Sequence, residues 1–268
     1  MKNIKLLDGS TASVQYLKEK ARDDDFYYNH LGKVAFSSTI LSKLLDSPKS
    51  YYYYLKKGIE QNTSALAIGR IIHAKALTPE IFDEEYEVVD VASKNTKAWK
   101  EAKTQSNKYL LTRTEDEQSN RVVDALLKNS TFIQMLSNSQ PEEPAVGEIG
   151  GYPFRAKADI LKRPFLFDLK TTNDLKGFKY SAKKYNYDMQ AFIYCTLFDI
   201  KYYDFKFVVI DKGSLDIGVA EVTEEMFNTG REKCMEALDT YTNFFVGRTD
   251  EEIQDQINDY VFDLQLWY

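Results

Sequence analysis

The sequence predicts an α/β protein in which an α-rich N-terminal lobe precedes a β-rich core interleaved with helices. Three observations predict this. Apolar residues recur at helical spacing from Phe36 onward. After an apparent loop at residues 137–144 (SNSQPEEP), residues 148–170 (EIGGYPFRAKADILKRPFLFDLK) alternate around turn signals at Gly150-Gly151 and Arg163-Pro164. A helical stretch at 187–198 then separates this run from two further strand-like segments, 203–210 and 215–222. The expected division is a lobe at 1–140, a core at 141–249 and an acidic tail at 250–268.

Taken in order, residues 1–34 show little periodicity and read as a docked or partly mobile arm. Ser37 or Ser38 caps a helix carrying Ile40, Leu41, Leu44 and Leu45 on one face. Ser47-Pro48 opens a second helix through Tyr51 to Tyr54, ending near Gly58. Residues 64–77 (SALAIGRIIHAKAL) form an amphipathic helix ended by Thr78-Pro79, with Gly69 and His73 on one face. Residues 94–108 hold five lysines, one glutamate and Trp99, either a solvated helix face or a DNA-backbone contact patch. Residues 111–136 read as one helix starting at Thr112 or Thr114. Beyond Lys170, Lys176, Lys179, Lys183 and Lys184 interleave with Phe178, Tyr180 and Tyr185. On the helix that follows, Lys183, Tyr187, Gln190 and Tyr194 fall in one stripe. Thr223 caps a long final helix that Gly247 stops.

Composition narrows the function classes. With 43% apolar residues the chain can build a substantial core. No run approaches the ~20 apolar residues of a membrane span, and MKNIKLLDGSTAS lacks a secretory apolar core. Cys195 and Cys234 form no CxxC pair, so a reduced, cytoplasmic setting is expected and a four-cysteine iron–sulfur cluster within the chain is excluded. The net charge of −6 argues against a nucleic-acid binder only until its distribution is read. Six acids and no Lys or Arg lie in residues 249–268, leaving 35 basic against 35 acidic residues elsewhere. Phosphate attraction depends on local charge, so a neutral body can still hold a basic groove.

Chemistry concentrates in 148–170. Arg155, Lys157 and Asp159 share one strand face, with Ala156, Ala158 and Ile160 on the other. On the next strand Asp168 and Lys170 point away from Phe165, Phe167 and Leu169. Phosphodiester hydrolysis needs an activated water and a neutralised leaving oxygen, both of which Mg²⁺ supplies. Mg²⁺ takes one or two carboxylates plus water and phosphate, which Asp159 and Asp168 match. Lys170 would position the water and offset charge at phosphorus. The buried Leu169 would offer its carbonyl, and Glu148 could hold a second ion. Alone, an acid and a lysine two apart on a strand better describe a surface salt-bridge ladder, and His73 alone better describes a core or surface histidine.

In combination, Asp159 followed by Asp168-Leu169-Lys170 resembles the PD-(D/E)xK nuclease signature, with Ala158 where a proline normally stands. The wider set, ALAIGRIIHAKALTPEIFDEEY, the Glu148 strand, FRAKADI, DLKTT and YDMQAFIY, is similar to RecB-like exonucleases, and most closely to the RecE (exonuclease VIII) branch of phage recombination systems. The resemblance implies a restriction-endonuclease-like core with a central mixed sheet flanked by helices. It implies Mg²⁺ dependence, with Mn²⁺ as substitute, and 5′→3′ digestion of double-stranded DNA. By residue, it implies His73, Asp159, Asp168 and the Leu169 carbonyl as metal ligands, Glu148 as an auxiliary ligand and Lys170 as the catalytic lysine. Gln190 and Tyr194 match its supporting Q-x-x-x-Y helix, and Arg155 and Lys157 are candidate DNA contacts. A ring-shaped homo-oligomer and a RecT-like single-strand annealing recombinase as partner are further implications, with a bacterial host cytoplasm as the setting. A catalytically silent DNA-binding protein and an endonuclease are the alternatives. The tail, with Ile253, Ile257, Val261, Phe262, Leu264 and Leu266-Trp267-Tyr268 among its acids, is either a solvated helix packed on its own domain or a docking element.

Overall fold

The structure is a computed structural model that describes residues 2–57 and 64–261. It opens on a hairpin of β1 (Asn3–Lys5) and β2 (Thr11–Ser13), followed by α1 (Val14–Lys20), a π-helical turn at Phe26–His30 and α2 (Leu31–Val34). This arm is docked: Ile4, Leu17, Tyr27 and Leu31 pack with Val146 of the main sheet. Its polar anchor is the buried Glu143, whose carboxylate meets Lys18 Nζ at 2.9 Å and Arg22 Nη2 at 2.7 Å.

The lobe that follows contains α3 (Ser38–Asp46), α4 (Pro48–Lys57), α5 (Ser64–Leu77), α6 (Pro79–Glu85), β3 (Tyr86–Val89), α7 (Lys97–Gln105), β4 (Tyr109–Thr112), α8 (Arg113–Lys128) and α9 (Ser130–Leu136). Of the two expected caps, Ser37 is the one that caps α3, accepting from the Ile40 N–H. The expected Gly58 end of α4 lies outside the described residues. Two expectations are corrected. The single helix over 111–136 is two, because the Asn129 side chain accepts the Phe132 N–H and caps a new helix. Its first residues belong instead to β4, which pairs in parallel with β3; Thr112 then starts α8 through a capping box with Glu115.

The core sheet runs β5 (Gln140–Ile149), β6 (Tyr152–Lys162) and β7 (Phe165–Thr172), then α10 (Phe178–Lys184) and α11 (Tyr187–Phe198), then β8 (Phe205–Asp211) and β9 (Ile217–Glu221). Gly150 and Gly151, at φ +59° and +82°, make the turn between β5 and β6 in a conformation that costs glycine little. The strands lie in sequence order, antiparallel except for the parallel pair β7–β8, whose connection crosses over through α10 and α11. Helices cover both faces. Ile71, Val122, Leu126 and Phe132 from α5, α8 and α9 pack on Phe167, Leu169, Val208 and Ile210. Ala191 and Cys195 of α11 pack on Ala156, Ala158, Leu166 and Phe207. This is the expected central mixed sheet flanked by helices.

Within the sheet, three local expectations change. Residues 140–144 are strand, not loop; as the sheet's edge, β5 accommodates Pro141 and Pro144 without losing interior hydrogen bonds. Ala156 and Ala158 pack on the α11 side but Ile160 packs on the α5 side, so the simple alternation of β6 breaks at Asp159. The polar face is also not outward: Arg155, Lys157, Asp159 and Asp168 are all buried.

Two further helices, α12 (Glu224–Phe245) and α13 (Asp250–Asn258), complete the described chain. Thr223 caps α12, and Gly247 at φ +72° follows its end. Tyr52 Oη donates to Asp250 at 3.1 Å and Lys56 Nζ meets it at 2.8 Å, tying α13 to α4. Phe262, Leu264 and Leu266-Trp267-Tyr268 lie outside the described residues. Among the described residues, no helix is long and apolar enough to cross a membrane.

Gly230 sets the approach of α12 to the start of α11. A Cβ there would collide with the Asp188 carbonyl and press on the Met189 nitrogen, both backbone atoms that cannot rotate away. Gly230→Ala is therefore expected to lower stability by about 1–3 kcal/mol or more, the usual cost of overpacking. Urea denaturation of both forms measures this.

Candidate metal centre

Three consecutive strands and the distant helix α5 meet where β6 and β7 separate after pairing at Ile160, Leu161 and Lys162. From α5 comes His73, whose Nδ1 lies 3.5 Å from Asp159 Oδ2. A Cβ built at Gly69, one turn earlier on α5, would lie 3.5 Å from Thr171 Oγ1, an ordinary contact that places this turn of α5 against β7. The same Asp159 oxygen accepts the Leu169 N–H at 2.6 Å, locking the end of β6 against β7.

The third ligand candidate is Glu142, and the sequence reading missed it. In the β5–β6 register, Pro141 pairs with Ile160 and Glu143 with Ala158, which sets Glu142 across from Asp159. Its backbone sits at φ +49°, in the left-handed region, where a non-glycine residue costs roughly 1–2 kcal/mol. Such strain persists where surrounding structure demands it and clusters at functional sites. Ligand atoms of His73, Glu142 and Asp159 all lie within 4.8 Å of one another.

Asp168 and Lys170 complete the group from β7. Asp168 Oδ1 accepts from Gln190 Nε2 of α11 at 2.6 Å, which ties that helix to the group. Among the described residues the buried Oδ2 of Asp168 has no hydrogen bond of good geometry and meets the Lys170 ammonium, 2.6 Å away. Lys170 also lies over the Tyr187 ring, 4.7 Å from its centroid. Tyr194 is edge-on to Phe205 at 6.1 Å, and burial pushes its hydroxyl well above the ordinary phenol range.

The charges are strongly interdependent. Burial pulls the His73 imidazole down, but the Asp159 carboxylate more than offsets this and raises it to about 8. Burial and the neighbouring Asp159 push Glu142 up to about 7. Against its own burial, Asp159 is held below the usual range by His73 and Lys170. Burial lifts Asp168 to about 6 despite Lys170, and that carboxylate outweighs burial to keep Lys170 raised and charged.

Three sequence-predicted residues are placed otherwise than expected, and this is a correction. Glu148 is exposed, pairs with Pro153 beside the hairpin turn and sits six residues from Glu142, about 20 Å along the strand. Arg155 and Lys157 do not face solvent. The guanidinium of Arg155 stacks 4.3 Å from the Tyr27 centroid, while Lys157 pairs with Asp24 and lies 4.6 Å from the same ring. As placed, both hold the N-terminal arm. The interior of β7 buries the Leu169 side chain as expected.

The donor set of carboxylate oxygens with one imidazole, beside an Asp168 oxygen whose partner is the Lys170 ammonium, fits an oxygen-preferring divalent cation. Binding requires neutral His73 and ionised Glu142. Because both pKa values are raised, to about 8 and 7, protons compete with the ion at and below neutrality. Affinity is expected to rise from pH 6 to about 8.5 and then level off. Calorimetry in buffers of differing ionisation enthalpy should record proton release on binding near pH 7.

A family model described as a PDDEXK-like domain of unknown function (DUF3799) matches residues 37–253, leaving the N-terminal arm outside the match. Among solved structures, a protein from Eubacterium rectale named "Putative exonuclease" is similar with a TM-score of 0.60 at 15% identity, over 91% of this chain and 95% of that one. A phage related exonuclease from Haemophilus somnus 129PT matches with a TM-score of 0.35 at 15% identity, over 78% and 94% of the two chains. The Eubacterium rectale protein shares the fold. No curated protein matches.

Proposed function

The chain belongs to the DUF3799 family of PDDEXK-like domains, and on that footing we propose that it is a Mg²⁺-dependent deoxyribonuclease. The observation that carries the reading is the convergence of His73, Glu142 and Asp159 within 4.8 Å, beside the Asp168–Lys170 pair. His73, Glu142 and Asp159 would hold the ion, with Asp168 and the Leu169 carbonyl available to it. When bound, divalent ions acidify the attacking water and stabilise the leaving oxygen of a phosphodiester.

The chain's own groups divide the remaining work. Gln190 fixes the Asp168 carboxylate through Oδ1. Lys170, kept charged by Asp168, acts as an ammonium donor at neutral pH, orienting water and offsetting charge on phosphorus. The Leu169 N–H holds Asp159 in place, so that the carboxylate need not reorganise. The centroid of the buried Phe207 ring lies 5.9 Å from the Lys170 ammonium, an apolar neighbour that strengthens its charge interactions.

The finer reading is a 5′→3′ exonuclease acting on double-stranded DNA ends and leaving 3′ single-stranded tails. Its support is the resemblance of ALAIGRIIHAKAL, FRAKADI, DLKTT and YDMQAFIY to the RecE branch. A ring-shaped assembly and a RecT-like annealing partner belong to the same proposal. Linear duplex labelled at either 5′ or 3′ ends, incubated with Mg²⁺ beside a covalently closed circle, tests it. Early release of the 5′ label with the circle intact is expected. Degradation of the circle would instead favour an endonuclease, and binding without digestion in Mg²⁺ or Mn²⁺ a silent DNA-binding protein.

A further inference from the structure

A cationic, aromatic surface lies beside the site, on and around α10. Lys176, Lys179, Lys183 and Lys184 are all exposed on and around α10, and Asp174 is the one acid among residues 173–187. Asp174 is itself engaged, accepting the Gly177 N–H at 2.9 Å. None of the four lysines forms an ion pair among the described residues, so a local positive charge stands on a chain whose net charge is −6. Between them, Tyr180 is 70% and Tyr185 is 56% exposed, Tyr180 being the most exposed aromatic ring among the described residues. Lys179 and Lys184 lie over these rings at 5.0 and 5.4 Å.

The surface is continuous with the metal centre. The Tyr185 ring lies 6.0 Å from Tyr187, tilted by 34°. Tyr187 in turn carries the Lys170 ammonium 4.7 Å from its centroid. A row of π faces flanked by cations thus runs from solvent to the proposed catalytic lysine. Cations alone would suit any polyanion. Exposed ring faces gain little from a duplex, whose bases are stacked on one another, but can stack on unpaired bases.

We propose that the α10–α11 corner is a platform for an unpaired stretch of the polynucleotide substrate, with Tyr180 and Tyr185 stacking bases and Lys179, Lys183 and Lys184 contacting phosphates. This rests on the nuclease reading, and names the form of substrate strand that the site handles. The two are separable because binding is measured without a divalent ion. In EDTA, fluorescence anisotropy of full-length protein compares a labelled oligo(dT) with a blunt hairpin duplex of equal charge. Tyr180→Ala and Tyr185→Ala are each expected to weaken oligo(dT) binding about tenfold and to change duplex binding by less than about twofold. Tyr185→Phe, which keeps the ring, should bind as the parent does. Pairing Lys179→Ala with Lys183→Ala should flatten the salt dependence of oligo(dT) affinity by about 1.4 in logarithmic slope.

Parent-like binding by both Tyr→Ala variants, or no binding of oligo(dT) by the parent, would overturn the proposal in favour of a solvated face. Equal loss on both ligands would overturn it in favour of a duplex-backbone or general polyanion surface. Digestion of linear duplex by the same preparation in Mg²⁺ reports separately on the nuclease reading.

Discussion

Lys170→Ala is expected to lower the single-turnover rate of DNA cleavage by at least about 10²–10³, the loss typical when one preorganised donor to a transition state is removed. Divalent metal affinity should stay within a few fold, because the ammonium is not a ligand. The side chain is the charged partner of Asp168 at 2.6 Å and lies in a buried, aromatic setting where its charge is poorly screened. Its removal has a second consequence. Burial already lifts Asp168 to about 6, with Lys170 opposing that rise, so the variant's Asp168 should titrate higher still. Residual activity in Lys170→Ala should therefore fall more steeply between pH 8 and 6 than the parent's does. Rapid-quench rates at saturating Mg²⁺ across that range, with calorimetric metal titrations, provide both readouts. An unchanged rate would remove Lys170 from the mechanism.

How much of this was legible in the sequence differs from residue to residue, for physical reasons. Gly150-Gly151, the strands around it and the helix over 187–198 were readable because turn chemistry and periodicity act locally. Asp168, Lys170 and Gln190 were readable because each lies on a regular element whose neighbours are apolar. Glu142 was not. It sits in SNSQPEEP, whose two prolines and polar residues signal a loop, yet an edge strand tolerates both prolines. Neither its left-handed backbone nor its position opposite Asp159 leaves a trace in local composition, since both are set by pairing with β6. The burial of Arg155 and Lys157 was hidden for a similar reason. Nothing periodic marks residues 22–28 as a cover, and their contacts to β6 span more than a hundred residues. A shift in the inward face of β6 at Asp159 is likewise invisible to a strict two-residue period.

The clearest discrimination between the two candidate glutamates comes from parallel Glu142→Gln and Glu148→Gln substitutions. Glu142→Gln is expected to weaken Mg²⁺ or Mn²⁺ binding by at least the ten- to hundredfold that loss of a supporting residue costs a metal site. Cleavage at subsaturating metal should fall in step. Glu148→Gln should leave both unchanged, because its side chain is exposed near the far end of β5. Stability should move the other way. In the metal-free protein Glu142 is raised to about 7 by burial and by Asp159, so folding favours its protonated form. For a carboxyl raised above its unfolded value, that contribution is present at low pH and is lost as pH rises through about 7. Neutral glutamine escapes the loss, so metal-free Glu142→Gln should melt higher than the parent at pH 8 and differ little at pH 5. Glu142→Gly should gain more, because glycine also relieves the left-handed backbone at φ +49°. A residue whose removal stabilises the empty protein while weakening ion binding is kept for the ion. Thermal melts in EDTA and with added Mn²⁺ at both pH values separate the cases. Loss of metal binding in Glu148→Gln with none in Glu142→Gln would transfer the ligand to the hairpin and dissolve the proposed centre.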